Sequence, residues 1–410
     1  MNMECVSFFP KIIVILSIQV YSESKGTTII FRGGSMGKDV DGTTIIKHAG
    51  RRNLALLLPA HNEELILETT IHSAITAGLE KKDIYVVDDS SSDSTREIAL
   101  RELGEDHVLS VARSGKALAV QKAFKHFAFE NRYRWMHVAD ADSIFSKNYF
   151  HTYYRYLEAN DCTVAVGFVQ SMGGNWLANY RSFSYTYGQH IFRRIQSWFG
   201  MIAILPGPVT CFSSDIIKNL DFETESLTED FDLTLQLHRK KLGRIRFVPE
   251  AVNYTQDPRT LKDFYNQTLR WQRGFFQGVR KYKIGQRPHK IDIGIGYQLI
   301  ETVYYLVQLL IILPLLWVVA HKPEAAGTLI LADFSIIAML AVFSAVVTKR
   351  PVILLTLTYF YALRLFELLI FLQAFVEIII LRRFKTVQKG WDTEGRRYEL
   401  NLSEIEGLQQ

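Results

Sequence analysis

Residues 54–63 carry the sequence LALLLPAHNE, an apolar run that becomes polar at its end. Five consecutive apolar residues bounded by turn-forming residues are typical of a buried strand followed by a loop. A second run, IYVV at 84–87, leads into the polar segment 88–93, and a helical pattern lies between the two runs at about 64–77. A strand, a helix and a second strand in this order predict a βαβ unit in a parallel sheet, whose strands are apolar on both faces.

Two further apolar runs, at 135–139 and 163–166, continue this pattern. We therefore predict an α/β domain with a mostly parallel sheet and helices on both faces. In open sheets of this kind, ligands bind beyond the carboxyl ends of the strands. The polar segments 59–63, 88–93 and 140–142 should converge on one crevice there, although each segment alone is also typical of a turn or a helix cap.

The third of these segments, Asp140-Ala141-Asp142, has the composition of a metal site. Alternate residues just past a strand can point the same way, and two carboxylates there would repel each other without a cation between them. Mg²⁺ or Mn²⁺ would fit, since these ions bind carboxylates together with the phosphates of a ligand. Lys116, at a predicted helix start, either contacts the same phosphates or is an exposed helix lysine.

Two later segments add candidate site residues. Residues 206–213 contain Pro-Gly-Pro and predict an irregular pocket wall. Asp230 follows Thr228 and Glu229 at the start of a helical pattern. A carboxylate there either acts as a general base or stabilises the helix start together with a Thr cap.

Gln267, Arg270 and Trp271 lie three and four residues apart, which places them on one helical face. An amide, a guanidinium and an indole on one face suit the binding of a diphosphate and stacking on a sugar ring. Packing of Trp271 in the core is the alternative.

The last third of the chain contains three long apolar tracts, at 302–320, 325–348 and 351–381. Each is long enough to cross about 30 Å of hydrocarbon as a helix, so the tracts predict α-helical transmembrane segments. A segment with seven basic and no acidic residues, at 270–290, precedes them and is expected at the lipid surface.

The third tract carries Arg364 and Glu367 on one helical face. A charged pair is costly in lipid, so the pair either lines a channel or marks an interfacial or kinked helix. The number of crossings stays open. The apolar segment 6–21 contains Lys11 and receives no role.

Composition limits the function classes. The 410 residues include 26 Phe and 19 Tyr, which excludes a disordered or low-complexity chain. Three scattered cysteines form neither a disulfide framework nor a zinc motif, and they favour a reducing compartment. A net charge of +5 gives no reason to expect a nucleic-acid partner.

The motifs Pro-Ala-His-Asn-Glu, Val-Val-Asp-Asp, Asp-x-Asp, Thr-Glu-Asp and Gln-x-x-Arg-Trp, in this order and followed by apolar tracts, resemble those of the processive family 2 glycosyltransferases. That family includes hyaluronan, chitin, cellulose and poly-N-acetylglucosamine synthases. The resemblance covers about residues 54–271. It implies a GT-A nucleotide-sugar-binding domain followed by transmembrane helices, a hexosyltransferase activity, a UDP-sugar donor and Mg²⁺ or Mn²⁺ as cofactor.

The resemblance also implies a role for each matching residue. Residues that would hold the uridine are Pro59, Glu63 and Asp88 or Asp89. Residues that would approach the nucleotide diphosphate and the metal are Lys116, Asp140 and Asp142. Asp230 would be the base that deprotonates the acceptor hydroxyl, with Glu229 as a helix-cap residue beside it. Residues that would close over the diphosphate and the acceptor sugar are Gln267, Arg270 and Trp271.

The expected organisation follows from these assignments. The predicted segments are a lead-in at 1–53 that includes a short membrane anchor as one alternative, the GT-A domain at 54–255, the QxxRW helix and basic segment at 256–290, the transmembrane region at 291–381 and a polar tail with a basic start at 382–410. We expect a multi-pass protein of the cell membrane with its catalytic domain facing the cytoplasm. Its expected partners are the donor, a polysaccharide acceptor and the lipid bilayer, with an accessory membrane subunit or a second copy as further candidates.

The leading hypothesis is inverting transfer from a UDP-sugar to a growing β-linked polysaccharide. UDP-N-acetylglucosamine is slightly favoured as donor by the resemblance of residues 248–251 to the poly-N-acetylglucosamine and chitin-type members. Transfer of one sugar to a lipid-linked acceptor is the enzymatic alternative. A regulator that binds nucleotide sugars without catalysis is the third hypothesis.

Overall fold

The computed structural model describes residues 52–222, 226–286, 289–296 and 323–383, together with the single residues 299, 321 and 400. The predicted lead-in, the first apolar tract and most of the C-terminal tail lie outside the described residues. The segment boundaries assigned from the sequence stay a prediction.

The centre of the fold is an eight-stranded sheet with the order β3-β2-β1-β4-β7-β6-β8-β5. Its strands are β1 (Arg52–Ala60), β2 (Ile84–Asp88), β3 (Val108–Ser110), β4 (Tyr133–Val138), β5 (Ile144–Phe145), β6 (Val164–Ser171), β7 (Thr210–Ser213) and β8 (Ile245–Thr255). The pairs among β1 to β4 are parallel, and so is β6 with β8, whereas β7 and β5 run antiparallel to their neighbours. The predicted α/β sheet is confirmed as a mixed sheet.

The helices cover both faces of this sheet and continue beyond it. They are α1 (Leu67–Thr76), α2 (Thr95–Leu103), α3 (Lys116–His126), α4 (Phe129–Arg132), α5 (Tyr149–Ala159), α6 (Trp176–Tyr187), α7 (Arg194–Phe199), α8 (Ser214–Ile217), α9 (Glu229–Arg239), α10 (Leu261–Lys281), α11 (Pro323–Val347) and α12 (Phe360–Phe375). A π-helical segment, Gly188–Arg193, joins α6 to α7, and another, Val376–Ile380, follows α12. Short 3₁₀ segments are Lys81–Asp83, Glu105–His107, Gly207–Val209 and Pro351–Thr358.

The composition of β1 explains why both faces are covered. Its side chains alternate between two faces, and Leu54 and Leu56 join one core cluster while Leu57 joins the other. The first cluster includes side chains of α1, α2 and α5, and the second includes side chains of α3 and α9. Full burial of one leucine contributes about 1.5–3 kcal/mol, so a strand that is apolar on both sides requires helices on both sides.

The sheet order brings the predicted loops together. β1 lies between β2 and β4, and both pairs are parallel, with Ala60 beside Asp88 and Leu57 beside Val138. The three strands therefore end at one edge of the sheet, and residues 61–64, 89–95 and 139–143 all begin there. This edge is the place where open α/β sheets bind ligands.

Among the described residues, one helix contains a stretch that is long and apolar enough to cross a membrane, Ile330–Val347 in α11. Only 17% of that stretch is buried. Val346 is 70% exposed and Leu331 is 65% exposed. The prediction of several transmembrane segments is not confirmed.

The third apolar tract is not one regular helix. It contains a 3₁₀ segment, then α12 and then a π-helical segment. The Arg364–Glu367 pair, with nitrogen and oxygen 3.4 Å apart, faces α6, where Tyr180 donates a hydrogen bond of 2.7 Å to Glu367. Glu367 thus contacts α6, and Glu377 pairs with Arg273 on α10 at 2.6 Å, so both acids of the tract have partners on other helices.

Candidate functional site

The loops after β1 and β2 are joined to each other by short hydrogen bonds. The Asn62 side chain accepts a 2.9 Å bond from the amide of Ser92, and the amide of Glu63 donates a 2.7 Å bond to Thr95 Oγ1. Asn62 has a positive φ of 55°, a conformation that asparagine tolerates better than most residues. The two loops therefore form one surface at the edge of the sheet.

Asp89 fixes a third loop to this surface. It is fully buried, and its carboxylate accepts hydrogen bonds from the amides of Ser114 and Gly115, at 2.7 and 2.8 Å. Its neighbour Asp88 is 3% exposed and accepts a 3.0 Å bond from the amide of Ser91. Of the two acids, Asp88 is the better candidate for a nucleotide contact, because both Asp89 oxygens already hold the loop at 113–115.

The other residues predicted to contact the nucleotide are buried beneath this surface. Pro59 is buried within β1, and Glu63 is fully buried at the start of the following loop. The sheet thus brings Pro59, Glu63, Asp88 and Asp89 together.

Lys116 begins α3 directly after the loop that Asp89 holds. Its ammonium donates a hydrogen bond to Asp140 Oδ1 and lies 3.6 Å from Glu229 Oε1. Burial lowers the pKa of Lys116, but attraction by Asp140, Glu229 and Asp230 outweighs it, so the net pKa is raised and the amine stays charged. A cation therefore already lies against the carboxylate of Asp140.

Asp140 and Asp142 differ in accessibility. The side chain of Asp140 is 27% exposed, whereas Asp142 is 3% exposed. The residue types suit Mg²⁺ or Mn²⁺, since one or two carboxylates suffice for these ions when a diphosphate supplies the other ligands. The carboxylates of Asp140 and Glu229 stabilise a positive charge at the position of the Lys116 ammonium.

Asp230 lies in the first turn of α9, in the wall of a pocket of about 410 Å³, a volume that includes space open to solvent. Lys116, Glu229 and Gly207 line the same pocket. Burial raises the pKa of Asp230 to about 7 and repulsion by Glu229 adds to this effect, while attraction by Lys116 and a 2.8 Å hydrogen bond from the amide of Phe231 oppose it. A carboxylate with such a pKa can take up a proton near neutral pH.

The expected cap at the start of α9 is absent. Thr228 makes no capping hydrogen bond through its side chain, which packs against α10 instead. A side chain at Gly274 would overlap Thr228, and one at Gly278 would approach Phe231 Cε1 to 2.5 Å. These two glycines allow α10 to lie against α9, which places the Gln267–Trp271 segment beside the pocket.

The three residues of that segment have different surroundings. Gln267 is 8% exposed, and Arg270 donates a weak 3.4 Å hydrogen bond to the carbonyl of Leu227. Arg270 also attracts the carboxylate of Asp230. Trp271 is half-buried, and the Arg181 guanidinium lies over its ring, 4.9 Å from the centroid.

Sequence reasoning missed three contributors. Glu229, taken as a helix-cap residue, directs its carboxylate into the pocket beside Lys116. Arg193 is attracted by Asp230, while burial lowers its pKa to about 10. Arg181 contacts Trp271 from α6. The Pro-Gly-Pro segment lines the pocket through Gly207, as predicted. Residues 210–213, predicted to be irregular, instead form the strand β7, because they pair with β4 and β6.

A second acidic group lies elsewhere on the surface. Glu68, His72 and Glu102 have ligand atoms close enough to hold an ion. Arg101 already pairs with both acids, at 2.5 Å from Glu68 and 3.0 Å from Glu102. These acids are paired with Arg101 on the surface of α1 and α2, and none of them is a predicted site residue, so we assign this group no metal role.

The chain is similar in sequence to several bacterial proteins over about half of its length. It is 24% identical over 230 residues to a poly-beta-1,6-N-acetyl-D-glucosamine synthase of Staphylococcus aureus, covering 54% of each chain. It is 30% identical over 247 residues to the probable glycosyltransferase YdaM of Bacillus subtilis, covering 56% of each. The chain therefore matches about half the length of these curated relatives.

The fold resembles that of a mannosyltransferase from Pyrobaculum calidifontis, solved in complex with GDP-mannose and Mn²⁺. The TM-score is 0.51 at 16% identity, over 75% of this chain and 86% of that one. The family model of glycosyltransferase like family 2 matches residues 51–274, which include the three strand-end loops, the Asp230 pocket and the Gln267–Trp271 segment. The chain belongs to glycosyltransferase like family 2.

Proposed function

We propose that this enzyme transfers a sugar from a UDP-sugar to a growing β-linked polysaccharide at a membrane, with inversion at the anomeric carbon. The observation that carries the proposal is the Asp230 carboxylate, whose pKa is raised to about 7 in a pocket that also contains Lys116 and borders Asp140. A base with a pKa near the working pH is efficient, and general-base catalysis contributes about 10²–10⁴-fold in rate.

The proposed reaction transfers one proton to Asp230 and exchanges one bond at the anomeric carbon. The Asp230 carboxylate takes the proton of an acceptor hydroxyl while the hydroxyl oxygen forms a bond to the anomeric carbon. The bond from that carbon to the diphosphate breaks on the opposite face, and UDP leaves with the bonding electrons. Attack and departure on opposite faces invert the configuration.

The donor is assigned to the loops of the sheet edge. Asp88, Glu63 and Pro59 would hold the uridine, while Lys116 and Arg270 would bind the diphosphate through charge-assisted hydrogen bonds. Asp140 and Asp142 would hold Mg²⁺ or Mn²⁺, which when bound offsets the negative charge of the diphosphate. Gln267 and Trp271 would contact the acceptor sugar.

N-Acetylglucosamine is the sugar we favour. The support is the sequence similarity to the Staphylococcus aureus synthase, whose name states that it makes a poly-N-acetylglucosamine. Because the chain covers only about half of that protein's length, the sugar and the polymer are proposals that rest on a shared domain.

Membrane attachment is the third part of the proposal. Apolar side chains of α11 face outward and are exposed. An apolar surface of this kind is normally covered by protein or by lipid, and the length of the helix suits a bilayer. The enzyme would then lie in the cell membrane with its catalytic domain facing the cytoplasm. An accessory membrane subunit or a second copy of the chain would complete a path for the polymer.

The test is a product assay with membranes that contain the full chain. Radiolabelled UDP-N-acetylglucosamine, UDP-glucose and UDP-galactose are supplied separately with Mn²⁺ or with EDTA. We expect UDP-N-acetylglucosamine to give a large product that does not extract into organic solvent, in the presence of the metal. A short product that extracts into organic solvent would instead indicate transfer of one sugar to a lipid.

Asp230→Asn tests the base. We expect the rate to fall by about 10²–10⁴-fold, with the affinity for UDP little changed. The matched control is Asp106→Asn, at an exposed position outside the pocket, which should keep wild-type activity. Full activity of Asp230→Asn would exclude the base assignment. A wild-type protein that binds UDP but forms no product from any donor would indicate a regulator.

A further inference from the structure

Trp271 shares the Arg181 guanidinium with a second aromatic ring of α10. The guanidinium carbon lies 4.9 Å from the centroid of Trp271 and 4.2 Å from that of Phe264. Phe264 and Trp271 are seven residues apart, two helical turns, and so occupy one face of the helix. Arg181 itself lies on α6 and is only 6% exposed.

Two polar contacts fix this guanidinium. Its Nη2 donates a 2.7 Å hydrogen bond to Thr268 Oγ1, on the helical face between the two rings. Its Nη1 lies 3.4 Å from Glu367 Oε1, on α12. The second oxygen of Glu367 accepts a 2.7 Å bond from the Tyr180 hydroxyl. The Tyr180 hydroxyl thus fixes the Glu367 carboxylate, and this carboxylate fixes the Arg181 guanidinium.

A guanidinium suits this position better than an ammonium. It is planar, so it can lie against aromatic rings while its edges donate hydrogen bonds in fixed directions. Cation–π contacts strengthen when water is excluded, as it is around this buried side chain. Without the guanidinium, one face of the indole would lose its neighbour and the side chain would gain rotamer freedom.

We propose that Arg181, held by Glu367, is a positioning residue that orients the Trp271 indole for the acceptor sugar. The inference rests on the proposed function, in which Trp271 stacks on that sugar. It makes α12 a structural part of the acceptor site, because the orientation of Trp271 depends on an ion pair with this helix.

The first test observes the indole without using activity. The full chain, labelled with 5-fluorotryptophan, is studied by ¹⁹F NMR in detergent, and Trp271→Phe identifies the resonance among the six tryptophans. We expect Arg181→Lys and Glu367→Gln to shift or broaden the Trp271 resonance.

The control is Glu377→Gln. It removes an ion pair of the same kind between α10 and the segment after α12, the 2.6 Å contact of Arg273 with Glu377, which does not touch Trp271. An unchanged Trp271 resonance in Arg181→Lys and Glu367→Gln, or an equal change in Glu377→Gln, would overturn the proposal.

The second test measures kinetics with an oligosaccharide acceptor. We expect Arg181→Lys and Glu367→Gln to raise the KM for the acceptor by about tenfold, as the loss of a desolvated cation–π contact would. The KM for the donor should stay the same, and so should both constants in Glu377→Gln. Equal changes in both KM values would contradict a positioning role. An inactive wild type would refute the proposed function, while the NMR experiment would still decide the role of Arg181.

Discussion

The proposed site has two halves that are held together by different kinds of contact: the donor half at the strand-end loops, and the acceptor half around Trp271. In the donor half, main-chain amides of neighbouring loops bind buried side chains, as with Asp89 and the loop at 113–115. In the acceptor half, side chains of separate helices pair across long stretches of sequence, as Arg181 does with Glu367. The donor half is therefore fixed by the sheet edge, whereas the acceptor half depends on how the C-terminal helices are docked.

The largest effect should come from breaking the donor half at Asp89. Asp89→Ala would remove a fully buried carboxylate that accepts hydrogen bonds from the amides of the half-buried residues Ser114 and Gly115, each worth about 0.5–1.5 kcal/mol net. We expect the free energy of unfolding to fall by about 1–3 kcal/mol and UDP binding to weaken. Denaturant unfolding and UDP titration measure the two quantities.

Asp93→Ala is the control for that experiment. Asp93 also accepts amide hydrogen bonds, from Glu64 and Thr95, but it is only half-buried, so water can replace it. A loss of stability as large as that of Asp89→Ala would show that loop hydrogen bonds in general, rather than burial of Asp89, hold the donor half.

A smaller effect is expected where the halves meet, at Gly207. A methyl group there would overlap the ammonium of Lys116 and lie 3.2 Å from Asp140 Oδ1. Because the end of a lysine side chain can move, Gly207→Ala should fold normally yet displace Lys116. We expect the KM for the UDP-sugar to rise about tenfold or more, the equivalent of one charge-assisted hydrogen bond.

Gly188→Ala provides the matched substitution, since a methyl group at that helical position meets no atom within 4 Å. Steady-state kinetics and thermal unfolding of both variants should separate a local effect from a general one. A wild-type KM for Gly207→Ala would mean that Lys116 does not bind the donor.

The smallest effect concerns pH. In the proposed mechanism the unprotonated Asp230 is the active form, so kcat/KM should fall as the pH drops below about 7. Glu229 raises the pKa of Asp230 by repulsion, so Glu229→Gln should lower that pKa and move the acid limb of the profile to lower pH. Glu250→Gln, at an exposed position of β8, should leave the limb in place. An acid limb that stays in place in Glu229→Gln would assign it to another group.

The same contrast explains what the sequence could predict. Apolar runs at 54–58 and 84–87 correspond to β1 and β2, because a strand buried on both faces leaves a local signal. The antiparallel strands β5 and β7 were missed, since they contain only two and four residues. Arg181 was missed because Thr268 and Glu367 lie 87 and 186 residues further along the chain, and only packing brings them together.

The Asp230 pocket could be predicted from the sequence only in part. Its residue types follow from local motifs, but the pKa of Asp230 depends on Lys116, more than 100 residues earlier. The spacing of Gly274 and Gly278 is a visible pattern, yet its meaning as a contact with α9 requires the fold.

Arg350 follows the end of α11, and its guanidinium donates hydrogen bonds of 3.0 and 2.6 Å to the carbonyls of Ser171 and Met172, at the end of β6. The apolar helix and the sheet are therefore joined by a direct contact, in addition to the chain that connects them. If α11 lies in a bilayer, the height of the reaction centre above the lipid is set by this contact and does not depend on the length of the connecting segment.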